Sequence, residues 1–549
     1  MNKQIILILV LIFSCFFRLF SITNLPPALN WDEVSHGYNA FSLLQAGKDE
    51  WGANSPVIFR AYGDYKLPVY IYLTAISEKI FGVSEFAVRF PSALAGTLSV
   101  LFVYLFVSKL FNRNIGIIAS ILMGIEPWGL FLSRIAVEAN VASFLIIAGV
   151  YLFIKGIESG KWMVLSMLFF GLSTHTYNSA RIFVPMLIFT LIFIYRRGAK
   201  YIFKRDLKSY LLGVMIIVLI YLPVIAQLTS TEGQARYRWV NILDEGAINQ
   251  IVSLRDKSSL PEPIPRVMYN KLTYFGSSFF INYFRSFSPD FFFLKGGSNY
   301  QFNVPNSGLI YPSEAAFILL GLLIFVRKKD NPSKIIIWWL LLSPIPGSLT
   351  KDSPHTLRLI TMLPIPQILA ATGLLSIYSW VTEKRQSSKK IGIFLAGLYL
   401  LILSLFFINY WQKYSTSYRN DYSWSWQFGY KETVNYIREH YSEYDKILIT
   451  KKYGEPHEFL LFYWPWNPQS FRNDANLVRY FQSDWYWVDS FDKFVFINDW
   501  EIKNSAKCKE QSAKCLLITS PKNYSQGWKL TNTINFLDGK PAFEILSNE

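Results

Sequence analysis

The fold of this chain is decided first by residues 4–22, QIILILVLIFSCFFRLFSI, an apolar run with a single charged residue, Arg18. A transmembrane helix needs about 20 consecutive apolar residues, and this run has that length. No small-residue cleavage site follows it, so we expect an uncleaved first helix and not a signal peptide. Further apolar runs follow at residues 91–111, 115–133, 138–155, 162–178, 182–195, 209–226, 310–326, 335–349, 357–380 and 391–410. The sequence therefore predicts an α-helical polytopic membrane protein with about eleven transmembrane helices.

The composition agrees with a membrane protein. Of the 549 residues, 52% are hydrophobic and 17% are charged, whereas an average soluble chain is about one quarter charged. This balance excludes a disordered chain and argues against a protein that is soluble throughout. The net charge of +16 would also suit a nucleic-acid-binding protein, so the position of the basic residues has to decide between the two.

The positions of the basic residues favour a membrane protein over a nucleic-acid-binding protein. If the N-terminus lies in the cytoplasm, the inner loops are residues 112–114, 156–161, 196–208, 327–334 and 382–390, and every clear cluster of Lys and Arg falls in them. Such an excess on the cytoplasmic side is the positive-inside rule. We therefore predict a multi-pass protein of a bacterial-type inner (cell) membrane with a cytoplasmic N-terminus, and no nucleic-acid partner.

Three long segments then lie outside the cytoplasm: 23–90, 227–309 and the tail, residues 411–549. We predict a transmembrane domain over 1–410 and a soluble extracytoplasmic α/β domain over 411–549, because a helical pattern at 432–441 precedes a strand-like run at 447–449. Cys508 and Cys515 could form a disulfide in this compartment, although two free thiols would also fit.

Ionisable side chains gather on the predicted outer side, where they tend to mark function. They come from several separate hairpins, so they predict one site at the outer membrane surface. The candidates are Asp32, Glu33, His36, Asp64, Lys66, Arg134, Glu138, His175, Arg181, His355 and Arg358.

Some of these candidates also have ordinary structural explanations. Arg134 and Glu138 are spaced i,i+4 and would pair on a helix. His175 and Arg181 would serve as anchors at the membrane interface. These alternatives stay open at the level of sequence.

Asp32 and Glu33 are harder to explain in this way. Asp32 would suit the first turn of a helix, where the helix dipole stabilises an acid. That does not account for two adjacent carboxylates directly after Pro26-Pro27, ahead of an amphipathic helix expected over 36–44. The i,i+4 spacing of Asp32 and His36 would admit a divalent cation, but one such pair is a weak metal signal, and we predict no obligatory metal.

The segment around Asp32 resembles a known family. Residues 30–40 (NWDEVSHGYNA), 47–50 (GKDE), 64–70 (DYKLPVY), 87–92 (AVRFPS), 126–140, 175–181 (HTYNSAR), 287–296 and 353–358 (SPHTLR) are similar, in this order, to motifs of polyprenyl-phosphate-dependent membrane glycosyltransferases. These are GT-C class enzymes of glycosyltransferase family 39, the group of protein O-mannosyltransferases and the lipid A aminoarabinose transferase. The motifs cover most of the first 190 residues, with patches later.

The resemblance implies a polyprenyl-phosphate-linked sugar as donor and an acid of the first outer loop as the catalytic centre. By position the catalytic residues are Asp32 and Glu33, and Lys66 and Arg358 meet the donor phosphate. Leu67 replaces the first proline of a Pro-Pro pair that many relatives have. The resemblance does not indicate whether the acceptor is a lipid, a glycan or a protein.

The residues suit this chemistry by themselves. An acceptor hydroxyl needs a general base and a departing phosphate needs positive charge, so transfer would invert the anomeric carbon. An O-antigen-ligase or polymerase type of enzyme would use the same donors. A lipid or sugar transporter would place its polar groups nearer the bilayer midplane. A receptor with a sugar-binding tail is a further alternative.

Overall fold

The computed structural model describes residues 3–196, 206–382, 388–504, 508 and 513–548. Several basic residues of the predicted inner loops lie outside the described residues, namely Arg197, Lys200, Lys204, Arg205, Lys384 and Arg385. The chain forms two compact units. The first unit comprises Met1–Arg18, Ala93–Ser133 and Glu138–Tyr410, and the second comprises Leu19–Ser92, Arg134–Val137 and Trp411–Glu549. The functional domains expected over 1–410 and 411–549 stay a prediction.

Helices dominate the described chain. The α-helices span Lys3–Leu19, Trp31–Ala46, Pro68–Phe81, Glu85–Leu110, Arg113–Ile125, Pro127–Leu132, Glu138–Gly156, Gly160–Thr174, Asn178–Ile194, Leu207–Thr229, Thr231–Val240, Glu245–Asp256, Ile264–Met268, Lys271–Arg285, Ala315–Lys328, Asn331–Leu342, Ile345–Ser348, Ile365–Thr382, Ser388–Lys413, Arg419–Asp421, Tyr430–Glu439, Pro456–Tyr463 and Pro468–Arg472. Each apolar run found in the sequence overlaps at least one of them. The prediction of a helical, multi-pass membrane protein is therefore confirmed.

The number of membrane spans stays a prediction. Among the described residues, five helices are long and apolar enough to cross a membrane. They are Glu85–Leu110, Glu138–Gly156, Leu207–Gln227, Ile360–Thr382 and Lys389–Asp421. Other predicted runs fold into shorter helices. The run 115–133 divides at Pro127, where the Glu126 side chain accepts the backbone N–H of Gly129 at 2.9 Å and caps a new helix.

The charged residue of the first apolar run is buried in the first unit. The Arg18 guanidinium donates to the backbone carbonyls of Gly124 at 3.1 Å and Met123 at 3.3 Å, and also to Ser14. These contacts satisfy a charge that would be costly against lipid. Arg18 therefore fits a membrane-embedded first helix.

The second unit contains all nine described strands. They are β1 (Phe59–Arg60), β2 (Tyr65–Lys66), β3 (Lys446–Thr450), β4 (Val478–Gln482), β5 (Trp485–Phe491), β6 (Phe494–Ile497), β7 (Cys515–Thr519), β8 (Lys529–Asn535) and β9 (Pro541–Ser547). β1 and β2 form an antiparallel hairpin, and the others form one sheet in the order β4-β5-β6-β3-β7-β9-β8. β3 runs parallel to both of its neighbours. The helix Tyr430–Glu439 precedes β3, so the predicted α/β tail is confirmed.

The segment 23–90 and the tail pack together within the second unit. Gly37, in the helix Trp31–Ala46, faces the Phe462 ring so closely that a Cβ at this position would stand 2.3 Å from it. The Tyr38 hydroxyl donates to the Trp466 carbonyl at 3.2 Å. Because Gly37 has no side chain, this helix and the helix Pro456–Tyr463 can pack in direct contact. Two parts of the chain that are far apart in sequence thus form one core.

Cys508 and Cys515 are joined by a disulfide, and Cys15 is a free thiol. We therefore expect alkylation of the denatured, unreduced protein to label one cysteine, and three after reduction, as counted by intact mass spectrometry. The variant Cys15→Ser should show none before reduction. Three labelled cysteines without reductant would contradict the disulfide and weaken the prediction that the tail lies in an oxidising compartment.

Candidate active site

Asp32 lies in the first turn of the helix Trp31–Ala46, and this helix start is fixed locally. The Asn30 side chain accepts the backbone N–H of Glu33 at 3.0 Å, and the Glu33 carboxylate accepts the backbone N–H of Asn30 at 3.1 Å. This reciprocal pair is a capping box. It holds Asp32 at the positive end of the helix dipole, where a carboxylate is stabilised.

Asp32 is paired with Lys66. The Lys66 Nζ donates to Asp32 Oδ1 at 2.6 Å and lies 3.8 Å from Asp64 Oδ1. Lys66 ends strand β2, and the short β1–β2 hairpin sets its position. The Asp32 side chain is 36% exposed, against 12% for Lys66 and 15% for Asp64. Asp32 is therefore the most open of the three groups, with a cation already in contact with it.

Glu33 has a different environment although it is adjacent in sequence. Its side chain is 1% exposed, and its two carboxylate oxygens accept Arg89 Nε and Nη2, each at 2.9 Å. Oε1 also accepts the backbone N–H of Ala136 at 2.8 Å. A bidentate guanidinium–carboxylate pair fixes both direction and distance. Glu33 is therefore held rigidly inside the second unit, while Asp32 faces outward.

Arg89 extends this anchor to the segment before the helix. Its guanidinium is fully buried and donates to the carbonyls of Ile22 at 2.7 Å and Pro26 at 3.0 Å, and to that of Ala28. Residues 22–28 form an irregular turn whose carbonyls need such donors. The Glu33–Arg89 pair thus fixes the approach of the chain to Asp32.

His36 and Arg134 are also buried in the second unit. The His36 ring centroid lies 5.1 Å from that of Tyr70. Arg134 donates to the carbonyls of Phe20 at 2.8 Å and Leu25 at 2.9 Å. Arg134 thus contacts the turn that leads to Asp32, whereas His36 contacts Tyr70, in the helix Pro68–Phe81. Their predicted place in the lining of the site stays a prediction.

The remaining predicted residues lie in the first unit. His175 contacts the Ile220 carbonyl at 2.7 Å, and Arg181 donates to the Thr174 carbonyl at 3.0 Å and to Gln227. Glu138 begins its helix.

Arg358 and His355 occupy one turn of the first unit. Arg358 donates to Thr350 Oγ1 at 2.7 Å and to the Asp352 carbonyl at 3.1 Å. His355 Nδ1 accepts the backbone N–H of Leu357 at 3.2 Å. The turn therefore holds the guanidinium in a defined place. A contact of Arg358 with the donor phosphate stays a prediction.

Sequence reasoning did not identify a second group of titratable side chains, Glu50, Glu455, His457 and Glu458. All four are buried in the second unit. Burial raises the pKa of Glu50 to about 7 and that of Glu455 to about 7, and it lowers the pKa of His457 to about 3. Glu50 belongs to the GKDE motif, which was the only sequence signal, because its neighbours lie some 400 residues further along the chain.

The chain is similar to known glycosyltransferases in sequence. The family model described as dolichyl-phosphate-mannose-protein mannosyltransferase matches residues 65–226. Two Bacillus subtilis (strain 168) proteins named as candidate mannosyltransferases also match. YkcB is 32% identical over 201 residues, covering 34% of this chain and 26% of YkcB. YycA is 24% identical over 173 residues, covering 31% and 25%. The matched part thus spans about a quarter of these relatives.

Two solved structures share the fold. ArnT from Cupriavidus metallidurans, bound to undecaprenyl phosphate, superposes with a TM-score of 0.56 at 12% identity, covering 100% of this chain and 98% of ArnT. The archaeal oligosaccharyltransferase AglB from Archaeoglobus fulgidus, in complex with an inhibitory peptide and a dolichol-phosphate, superposes with a TM-score of 0.52 at 14% identity, covering 84% and 63%. At sequence identities this low, the similarity to the two solved structures shows a shared fold and nothing more. Together with the sequence matches, it confirms the predicted resemblance to the GT-C glycosyltransferases of the family 39 type.

Proposed function

We propose that this protein transfers a sugar from a polyprenyl-phosphate-linked donor to an acceptor hydroxyl at the outer face of the membrane. The observation that carries the proposal is the contrast between two adjacent acids. Asp32 is partly exposed and paired with Lys66, while Glu33 is locked to Arg89. A general base has to reach its substrate and has to be held in place. This arrangement meets both requirements.

In the proposed reaction the acceptor oxygen attacks the anomeric carbon as its proton passes to the Asp32 carboxylate. The bond between that carbon and the phosphate oxygen breaks, and the lipid phosphate leaves with the electron pair. Attack opposite the leaving group inverts the anomeric carbon. Glu33 acts as a positioning residue, because its buried carboxylate is held by Arg89 and by the backbone N–H of Ala136.

Lys66 is proposed to bind the donor phosphate. It already contacts Asp32, so donor binding would divide its hydrogen bonds between the carboxylate and the phosphate. Charge-assisted hydrogen bonds to a leaving phosphate gain strength as its negative charge develops. Arg358 would supply a second cation from its own turn. The donor class is also supported by the solved neighbours, which hold undecaprenyl phosphate and dolichol-phosphate.

The decisive experiment supplies purified protein in detergent with radiolabelled sugars on undecaprenyl phosphate, and with the same sugars as nucleotide diphosphates. We expect release of the sugar from the lipid donor and none from the nucleotide donor. Consumption of the nucleotide donor alone would overturn the proposal. Mass spectrometry of lipids and glycans from a deletion strain would then identify the sugar and the acceptor.

The variant Lys66→Ala should lower kcat for sugar transfer by about 10²–10³-fold, the usual loss when one electrostatic donor to a developing charge is removed. Lys66→Arg should restore part of the rate, since a guanidinium also binds phosphate, although with different geometry. The matched control is Lys431→Ala, which breaks the ion pair with Glu85 at 3.0 Å in the same unit. Equal rates of sugar transfer for Lys66→Ala and this control would show that Lys66 does not bind the donor phosphate.

A further inference from the structure

We propose that Glu50, His457 and Glu458 bind one divalent transition-metal ion of the Zn²⁺ class. Its ligands are residues other than Asp32 and Lys66, although Glu458 interacts electrostatically with Asp32, and metal binding does not depend on the proposed transfer reaction. Its role would be to hold the segment 23–90 against the tail within the second unit.

The geometry of the three side chains suits one ion. A ligand atom from each residue lies within 4.8 Å of those of the other two. Zinc binds imidazole nitrogen and carboxylate oxygen at roughly 2.0–2.2 Å, so its ligand atoms stand roughly 3.5 Å apart. Small side-chain rotations would bring the three atoms to that spacing. His457 and Glu458 are adjacent at the start of the helix Pro456–Tyr463, and Glu50 comes from the turn after the helix Trp31–Ala46.

Unsatisfied polar atoms in this group point independently to a ligand. Glu458 Oε2 is buried and has no hydrogen-bond partner within the described part of the chain, and His457 Nδ1 makes no hydrogen bond there although Glu455 approaches it to 3.5 Å. Their side chains are only 2% and 3% exposed respectively. A buried polar atom without a partner costs free energy. A metal ion would satisfy such atoms without a further side chain.

The surrounding protein orients two of the acids. Asn39 Oδ1 accepts the backbone N–H of Glu50 at 3.1 Å, and Asn39 Nδ2 donates to Glu50 Oε2 at 3.4 Å. Glu455 accepts the indole N–H of Trp485 at 2.6 Å and lies 3.5 Å from His457 Nδ1. Side chains that hold metal ligands in place are a regular part of metal sites. Glu50 and Glu455 are thus set around the imidazole before any ion binds.

The charge balance and the donor set favour a particular class of ion. Ligand oxygens of Glu50 and Glu458 lie within 4.8 Å of each other, and two ionised carboxylates this close repel unless a positive charge lies between them. Two cations act on the cluster: Lys451, which is engaged by Asp489, and Arg479, whose guanidinium lies 4.2 Å from the centroid of the Trp51 ring. Calcium and magnesium take oxygen ligands, whereas one imidazole with two carboxylates is a donor set for zinc and its neighbours.

The test measures metal content of the full-length protein in detergent, with its affinity tag removed. The protein is stripped with EDTA, desalted, incubated with Zn²⁺ and passed through gel filtration before elemental analysis. We expect about one zinc per chain in the wild type and a loss of affinity of at least about 100-fold in Glu50→Gln and Glu458→Gln. Both substitutions keep the shape of the side chain, so neither creates a cavity.

The matched control is Glu78→Gln. Glu78 is also a buried acid of the second unit, and both of its carboxylate oxygens lack a partner among the described residues, but it lies outside the cluster. This variant should bind as much zinc as the wild type. If the wild type retains no stoichiometric zinc, or if Glu50→Gln and Glu458→Gln retain as much as Glu78→Gln, the proposal is wrong.

A spectroscopic measurement on the wild type covers the case in which the variants do not fold. Co²⁺ added to the stripped protein should give visible d–d absorption of a four- or five-coordinate site, and Zn²⁺ should abolish it at one equivalent. Cobalt spectra that match hydrated Co²⁺ would overturn the proposal without use of any variant.

Discussion

Replacing Asp32 with asparagine is expected to lower the rate of sugar transfer by about 10²–10⁴-fold, the range that a positioned general base contributes. The amide retains the size of the side chain but cannot take the proton of the acceptor. The measurement is kcat with a polyprenyl-phosphate sugar at saturating donor and acceptor. Asp32→Glu should also be slow, because the extra methylene moves the carboxylate away from its place beside Lys66.

This loss should occur without unfolding. The Asp32–Lys66 pair is partly exposed, and exposed ion pairs contribute about 0–1 kcal/mol to stability. Asp538→Asn, in a turn of the tail where Asp538 pairs with Lys540, is a control that should keep both rate and fold. A rate for Asp32→Asn equal to that of this control would show that Asp32 is not the base.

Replacing Arg89 with alanine is expected to have the largest effect on stability. It would leave the Glu33 carboxylate buried without its cation, which costs about 3–5 kcal/mol. It would also remove the donors to the carbonyls of residues 22–28. We expect a clear fall in the thermal unfolding temperature in detergent, together with lower yield. Activity should fall as well, because the chain around Asp32 loses its support.

A double-mutant cycle distinguishes the interaction energy of the Glu33–Arg89 pair from a general loss of stability. Glu33→Gln and Arg89→Met should each destabilise the protein, and the double variant should be less destabilised than the sum of the two, because it leaves no buried charge behind. Lys431→Ala provides the exposed comparison, with a change of about 0–1 kcal/mol. Additive effects of Glu33→Gln and Arg89→Met would show that the two groups do not stabilise each other.

The sequence predicted the class of fold well, because long apolar runs leave few alternatives in a membrane. It was less successful where a local break decides the outcome, as at Pro127. The helix around Asp32 was expected over 36–44, but it runs from Trp31 to Ala46. The Asn30-x-x-Glu33 capping box is a local signal that could have located its start.

The different roles of Asp32 and Glu33 could not be predicted in the same way. Adjacent acids look alike in a sequence, and the partners that distinguish them, Lys66, Arg89 and Ala136, lie 34, 56 and 103 residues away. The Glu50–His457–Glu458 cluster joins residues that are still farther apart in the sequence. Only the folded chain shows which acid is open and which is enclosed.

The joining of residues 19–92 with residues 411–549 in one compact unit has a consequence for biogenesis. The ribosome completes residues 19–92 more than 300 residues before it begins the tail. During that time residues 19–92 lack the packing partners that the tail provides. Gly37 and Tyr38 can contact their partners Phe462 and Trp466 only after the tail has been synthesised. A prematurely terminated chain would therefore lack the completed unit.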